Sequence, residues 1–158
     1  MQFASYLSEG GIRIRRAVAP QSYPPSATDG LISALDRRRG ILLSSGFEFP
    51  GRYTRFDIGF VDPPLALTGR GRDFAVEALN ARGRVLLPAI AQALRELPVT
   101  AALSLEGSRI DGKVRAAETR FAEEARSRQP SLFSVLRGLG RLFASPEDPH
   151  LGLYGAFG

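Results

Sequence analysis

A chain of 158 residues that is 44% hydrophobic, with ten Phe and four Tyr, can close one packed core that buries roughly 70% of its unfolded surface, which excludes global disorder. It has no Cys, so disulfides, thiolate catalysis and thiolate metal sites are excluded together, and a reducing, cytoplasmic setting is expected. Lys and Arg outnumber Asp and Glu by 21 to 16, but the Arg residues are scattered among acids and not gathered with aromatic residues on one element, so a solvated surface is expected and no nucleic-acid binding.

The N-terminal MQFASYLSEGGIRIRR has no apolar run of signal-peptide length, and no later stretch approaches about 20 apolar residues, so neither standard export nor a membrane span is expected. In GIRIRRAV, residues 11–18, Ile12 and Ile14 alternate with Arg13 and Arg15, the pattern of a strand with one face in water. Pro20, Pro24 and Pro25 then force an extended linker. Residues 1–25 thus read as an N-terminal strand and Pro-rich linker, and residues 26–158 as the main region.

Ser26 suits the cap of a helix over 26–39 with Leu31, Ile32 and Leu35 on one stripe, stopped by Gly40. ILLSS leads through the turn-rich GFEFPGR into a second extended stretch, YTRFDIGFV, which Asp62, Pro63 and Pro64 break. After LALTG, the segment RDFAVEAL sets Phe74, Val76 and Ala78 against Asp73 and Glu77 with a period of two, favouring antiparallel strands.

Helical spacing returns over 84–97, with Leu86, Leu87, Ile90, Ala91 and Leu94 on one side and Pro98 closing it, and VTAALSLEG follows as a strand. The stretch 108–129 is polar and reads as an exposed helix or an excursion. Pro130 suits the first turn of a helix that spaces Leu132, Phe133, Val135, Leu136, Leu139, Leu142 and Phe143 along a wide apolar face. Gly138 and Gly140 weaken that helix by up to about 1 kcal/mol each relative to Ala, which is tolerable if a neighbouring backbone packs closely there. LGLYGAFG reads as a final apolar strand, and a stop at Gly158 without turn or cap suggests a truncated chain.

Strands and helices mix without βαβ alternation, so the expected class is α+β with antiparallel sheet. The residues themselves argue for no enzyme. His150 is the one histidine, too few for a metal cluster or a hydrolytic triad. Glu123 and Glu124 are adjacent and point apart, and GRGRDF lacks the third glycine and the following helix of a dinucleotide fingerprint.

Three segments together resemble the large subunit of anthranilate synthase, particularly the bacterial form fused to its glutaminase: RRGILLSSGFEFPGRYTRFDIGFVDPPL at 38–65, the polar block leading into PSLFSVLRGLGRLFASPED, and HLGLYGAFG. The resemblance implies the N-terminal part of a two-layer antiparallel β-sandwich with flanking helices, incomplete in this chain. It places chorismate, Mg²⁺ and the catalytic acids and bases on a C-terminal half outside these residues, so this segment alone is expected to be inactive and without a cofactor. Its expected partners are that half and a glutamine amidotransferase domain or subunit; the apolar helix face from Leu132 to Phe143 and an unpaired sheet edge at LGLYGAFG would also invite self-association, so further copies of itself in an oligomer are expected.

The role implied for this segment is feedback sensing of L-tryptophan, at a motif of two leucines, an acid and a serine followed after a loop by a basic residue. Leu42, Leu43, Ser44 and Ser45 match the first part, with Ser44 in place of the usual glutamate, and Arg52 matches the basic residue, with Arg55 the second choice. Leu43, Ser44, Ser45, Arg52 and Arg55 are therefore the candidate tryptophan contacts, where a hydroxyl and strand-end amides meet an amino acid's polar groups and Arg pairs with its carboxylate. The same residues would also suit a plain strand end and a loop charge. Two other readings stay open: the equivalent segment of an aminodeoxychorismate synthase with structural tryptophan, and a stand-alone small-molecule-binding module.

Overall fold

In the computed structural model, which describes residues 2–24, 26–45, 50, 56–117 and 129–158, helices and antiparallel sheets are mixed, as expected of an α+β chain. The elements run β1 (Gln2–Leu7), β2 (Arg13–Val18), α1 (Asp29–Leu35), β3 (Gly40–Ser44), β4 (Asp57–Val61), β5 (Leu65–Arg70), β6 (Asp73–Ala78), α2 (Ala81–Glu96), β7 (Thr100–Glu106), β8 (Arg109–Val114) and α3 (Leu132–Phe143). They fall into two units, one built on 18–63 with 154–158, the other on 3–17 with 64–153.

The larger unit is organised by a four-stranded sheet in the order β5-β6-β8-β7. Tight reversals at Gly71 (φ 62°) and Gly107 (φ 56°) join β5 to β6 and β7 to β8; both sit in the left-handed region that glycine enters without steric cost. The two-residue period read in β6 is present, with Phe74, Val76 and Ala78 in the core. Ala75 is buried as well. Across from β6 stands β8, where Ile110 opposes Val76 and Gly112 opposes Phe74. The Phe74 ring lies over Gly112, in the space a side chain there would need.

That strand is a correction. The polar stretch 108–129 begins with β8, whose Ile110 and Val114 are fully buried; the remainder, 118–128, lies outside the described residues. The final LGLYGAFG is also corrected, because residues 151–158 carry no strand. A third correction is β1, which pairs with β2 in a two-stranded sheet; only β2 shows the alternation that marks a strand.

Leu87, Ile90, Ala91 and Leu94 of α2 join Val135, Leu139 and Leu142 of α3 and the sheet residues in one apolar cluster. The wide apolar face read over 132–143 is thus buried within the unit, although Phe133 remains 47% exposed. Of the two features that led to an expectation of self-association, the helix face is thus largely covered and LGLYGAFG is not a strand. Helix α2 begins three residues before the expected start, because Asn80 caps it by accepting from the Gly83 amide at 3.2 Å. Pro88 lies inside it and removes one helical hydrogen bond. Gly138 packs against the Leu97 side chain, not against a backbone, and Gly140 has no neighbour within 4 Å of where a Cβ would stand.

The turn after β1 closes the C-terminus of α3. Ser8 Oγ donates to the Leu142 carbonyl at 2.6 Å and the Glu9 amide to the Ala144 carbonyl at 2.8 Å, satisfying acceptors that a helix end leaves open. Beyond it, buried Asp148 accepts from the Tyr6 hydroxyl at 2.6 Å and from the His150 amide at 3.1 Å, and pairs with Arg16 at 3.1 Å.

In the smaller unit, β3 and β4 form an antiparallel pair registered from Gly40 opposite Val61 to Ser44 opposite Asp57. Helix α1 spans Asp29–Leu35, shorter than the expected 26–39. Its N-cap is Thr28 without a side-chain cap hydrogen bond, so Ser26 is not the cap. Leu31 and Leu35 of α1 approach Gly59 and Gly40 where side chains would otherwise project. The chain leaves β4 at Asp62, in the left-handed region (φ 51°), where its amide donates to the Arg39 carbonyl at 2.7 Å and its carboxylate accepts from Arg38.

Candidate functional site

The β3–β4 pair carries the residues singled out for ligand binding. ILLS is strand-forming because its branched residues suit a half-buried pleat. Glycines at 40 and 59 on one face let α1 lie directly on the backbone. Side chains alternate across a strand, so Gly40, Leu42 and Ser44 face α1 together with Gly59 and Asp57. Ile41, Leu43 and Ser45 project from the opposite face, opposite Phe60, Ile58 and Phe56 respectively.

The two serines of the motif therefore stand on different faces. Leu43 is 38% exposed and Phe56 57% exposed, Ile58 is half-buried, and Ser45 is half-buried at the point where the pair ends. Ser45 donates its amide to the Phe56 carbonyl at 3.0 Å. The Phe60 ring meets Tyr154 edge-on, with centroids 6.0 Å apart at 63°. This face joins an apolar platform to a hydroxyl and a strand end, the combination that small amphiphilic ligands use.

On the α1 face, Ser44 is exposed and stands opposite half-buried Asp57, whose Oδ2 accepts from the Tyr23 hydroxyl. Sequence reasoning missed Asp57, Phe56 and Tyr23. The signal for the first two was the alternation of FDIGF, but their pairing with Ser44 and Ser45 is fixed by register. Arg52 and Arg55 lie outside the described residues.

Elsewhere, burial raises the Tyr6 hydroxyl to about 12, with its hydrogen bond to Asp148 and the negative charge there adding to the shift. Burial would raise the Asp148 carboxyl, but the Tyr6 hydroxyl, the His150 amide and the Arg16 charge outweigh it and hold the group below its ordinary value. This cluster ties the β1–β2 hairpin to the segment after α3. Among the described residues no three His, Cys, Asp or Glu side chains are grouped so as to share a metal ion. Nor is any described helix long and apolar enough to cross a membrane.

Over 153 residues, 96% of its length, the chain is 54% identical to a curated protein from Azospirillum brasilense named anthranilate synthase. The chain spans 20% of that relative's length. No family model matches the chain, and no solved structure does. The resemblance read from GRYTRFD, VDPPL and LGLYGAFG is borne out by this match.

Proposed function

From a chain that is a relative of anthranilate synthase along nearly its whole length, we propose the N-terminal, tryptophan-sensing region of the large subunit. The parent enzyme would convert chorismate and glutamine-derived ammonia to anthranilate and pyruvate. Its chorismate and Mg²⁺ chemistry would reside in polypeptide outside these residues and its ammonia supply in a glutaminase domain or subunit; the segment itself would be non-catalytic. The name carried by the Azospirillum relative favours this reading over the aminodeoxychorismate and stand-alone alternatives.

The observation that carries the sensing role is the strand end at Ser45, where a half-buried serine adjoins exposed Leu43 and Phe56. An indole can cover the apolar pair while the ligand's polar groups reach the serine; Arg52 and Arg55 are carried as contacts by the resemblance alone. Regulation then requires tryptophan to favour an arrangement unable to close the catalytic site, and its leverage equals its difference in affinity for the two states.

The test is isothermal titration of L-tryptophan into the protein at its natural chain length, with phenylalanine and chorismate as controls. Selective binding of tryptophan, weakened about tenfold or more by Ser45→Ala, is the expected result. A folded sample that binds none, or that does not discriminate against phenylalanine, overturns the proposal.

A further inference from the structure

The β1–β2 hairpin has one face against the larger unit and one in water. On β2, Ile14 and Arg16 are half-buried while Arg13, Arg15 and Ala17 are exposed. On β1, Tyr6 is buried while Phe3, Ser5 and Leu7 are exposed. Side chains alternate across a strand, so Tyr6 and Arg16 turn inward to Asp148, and Phe3, Ser5, Arg15 and Ala17 turn outward. At the reversal the Ser8 amide donates to the Ile12 carbonyl at 2.9 Å. Counting back from that pair along both strands sets Ser5 opposite Arg15 and Phe3 opposite Ala17.

These four residues, with Ala4 and Arg16, line a cavity of about 410 Å³, a volume in the range of small-molecule sites. Ala4, Ser5 and Ala17 are small and leave room between two large side chains, the Phe3 ring, 75% exposed, and the Arg15 guanidinium. Phe3 and Arg15 are diagonal neighbours across the pair, close enough for one ligand to touch both.

Charge selects the ligand. Arg16 is engaged with Asp148 at 3.1 Å, and β1 and β2 carry no acid. Arg15 has no hydrogen bond or ion pair among the described residues, so its charge is not neutralised within the hairpin. One guanidinium matches the two oxygens and single charge of a carboxylate. A phosphate dianion would call for a second cation, and that of Arg16 is already paired. The Phe3 ring favours a flat apolar body on the same molecule.

We propose that this cavity binds a small aromatic monocarboxylate, with its ring against Phe3, its carboxylate on the Arg15 guanidinium and a further hydrogen bond donated by the Ser5 hydroxyl. The site lies within the larger unit and does not depend on the sensing role proposed above.

Isothermal titration of benzoate into the protein at its natural chain length tests this, with acetate, benzyl alcohol and inorganic phosphate as probes that keep only part of the ligand. Benzoate is expected to bind saturably with a dissociation constant of about 1 mM or tighter, and each of the others about tenfold more weakly or not at all. Arg15→Gln is expected to weaken benzoate about tenfold or more, and Phe3→Ala about threefold or more. Arg13→Gln removes an equal charge from the same face but outside the cavity lining, and is expected to stay within about twofold because salt screens a distant exposed charge. All three side chains are exposed, so the variants leave the buried contacts in place. Tryptophan binding is expected to be the same in Arg15→Gln and Phe3→Ala as in the unaltered protein, so the two proposals fail separately.

No saturable binding of benzoate overturns the proposal. So does acetate or phosphate binding as tightly as benzoate, benzoate affinity unchanged in Arg15→Gln, or a loss in Arg13→Gln equal to that in Arg15→Gln, which would mark general attraction to a basic surface.

Discussion

Gly10 and Gly140 differ in what surrounds the place where a side chain would stand. A Cβ on Gly10 would lie 2.6 Å from the Leu142 carbonyl oxygen and 2.8 Å from the Leu142 Cα, and a helix backbone cannot yield as a side-chain tip does. Gly10→Ala is expected to destabilise the protein by about 1–3 kcal/mol, the usual range for overpacking. Gly140 has no atom within 4 Å of that place and sits inside α3, so Gly140→Ala is expected to stabilise by up to about 1 kcal/mol through helix propensity and lost chain entropy. Thermal melts of the two variants check the opposite signs. Equal effects would mean that the turn at Gly10 does not approach α3 closely in solution.

Joined to α3 and to the segment behind it, the β1–β2 hairpin depends on an ionisable clamp at Asp148. A carboxyl held below its ordinary value contributes stability that is fully present above the unfolded value, near 4, and is lost as pH falls through the folded value. Tyr6 acts at the other end: with its hydroxyl raised from 10.0 to about 12, stability is complete below pH 10 and declines as pH rises toward 12. Asp148→Asn is expected to cost about 1–3 kcal/mol near neutrality and to flatten the acid side of a melting-temperature profile, while Tyr6→Phe flattens the alkaline side. A steep acid limb retained in Asp148→Asn would place that sensitivity in other carboxylates. None of this clamp was legible in the sequence, because it joins residues near opposite ends of the chain. Helices α2 and α3 were legible because their apolar spacing repeats over several turns. The strand β8 was hidden because Gly112 interrupts its apolar alternation, and the partner that gives it a reason to exist, the Phe74 ring, lies on another strand. LGLYGAFG misled in the reverse direction, since apolar composition supplies no strand to pair with. At the candidate site ILLS could be read as a strand end, but Ser44 meets Asp57 only through register, which composition does not fix.

Across the whole molecule, burial is divided unequally between the two units. Every residue of the buried apolar cluster belongs to the unit of β5-β6-β8-β7, α2 and α3, including Ile90, Leu94, Ile110, Val114 and Val135 at 1% exposure or less. In the unit carrying the candidate site, α1 has no buried residue, and β3 and β4 are half-buried or exposed throughout. Local opening free energy follows buried apolar contact, so amides of β6, β8 and α2 are expected to exchange with solvent most slowly and those of β3 and β4 much faster. A sensor gains from that arrangement, because a ligand shifts a conformational equilibrium most visibly where the ligand-free element has little stability of its own. Saturating L-tryptophan should therefore slow exchange at Leu43, Ser45 and Ile58 and leave Val76, Leu94 and Ile110 unchanged, as read by hydrogen exchange resolved to single residues or short peptides. Uniform slowing in both units would instead mark tryptophan as a ligand that stabilises the whole fold, and slowing confined to the larger unit would place the binding site away from the β3–β4 strand end.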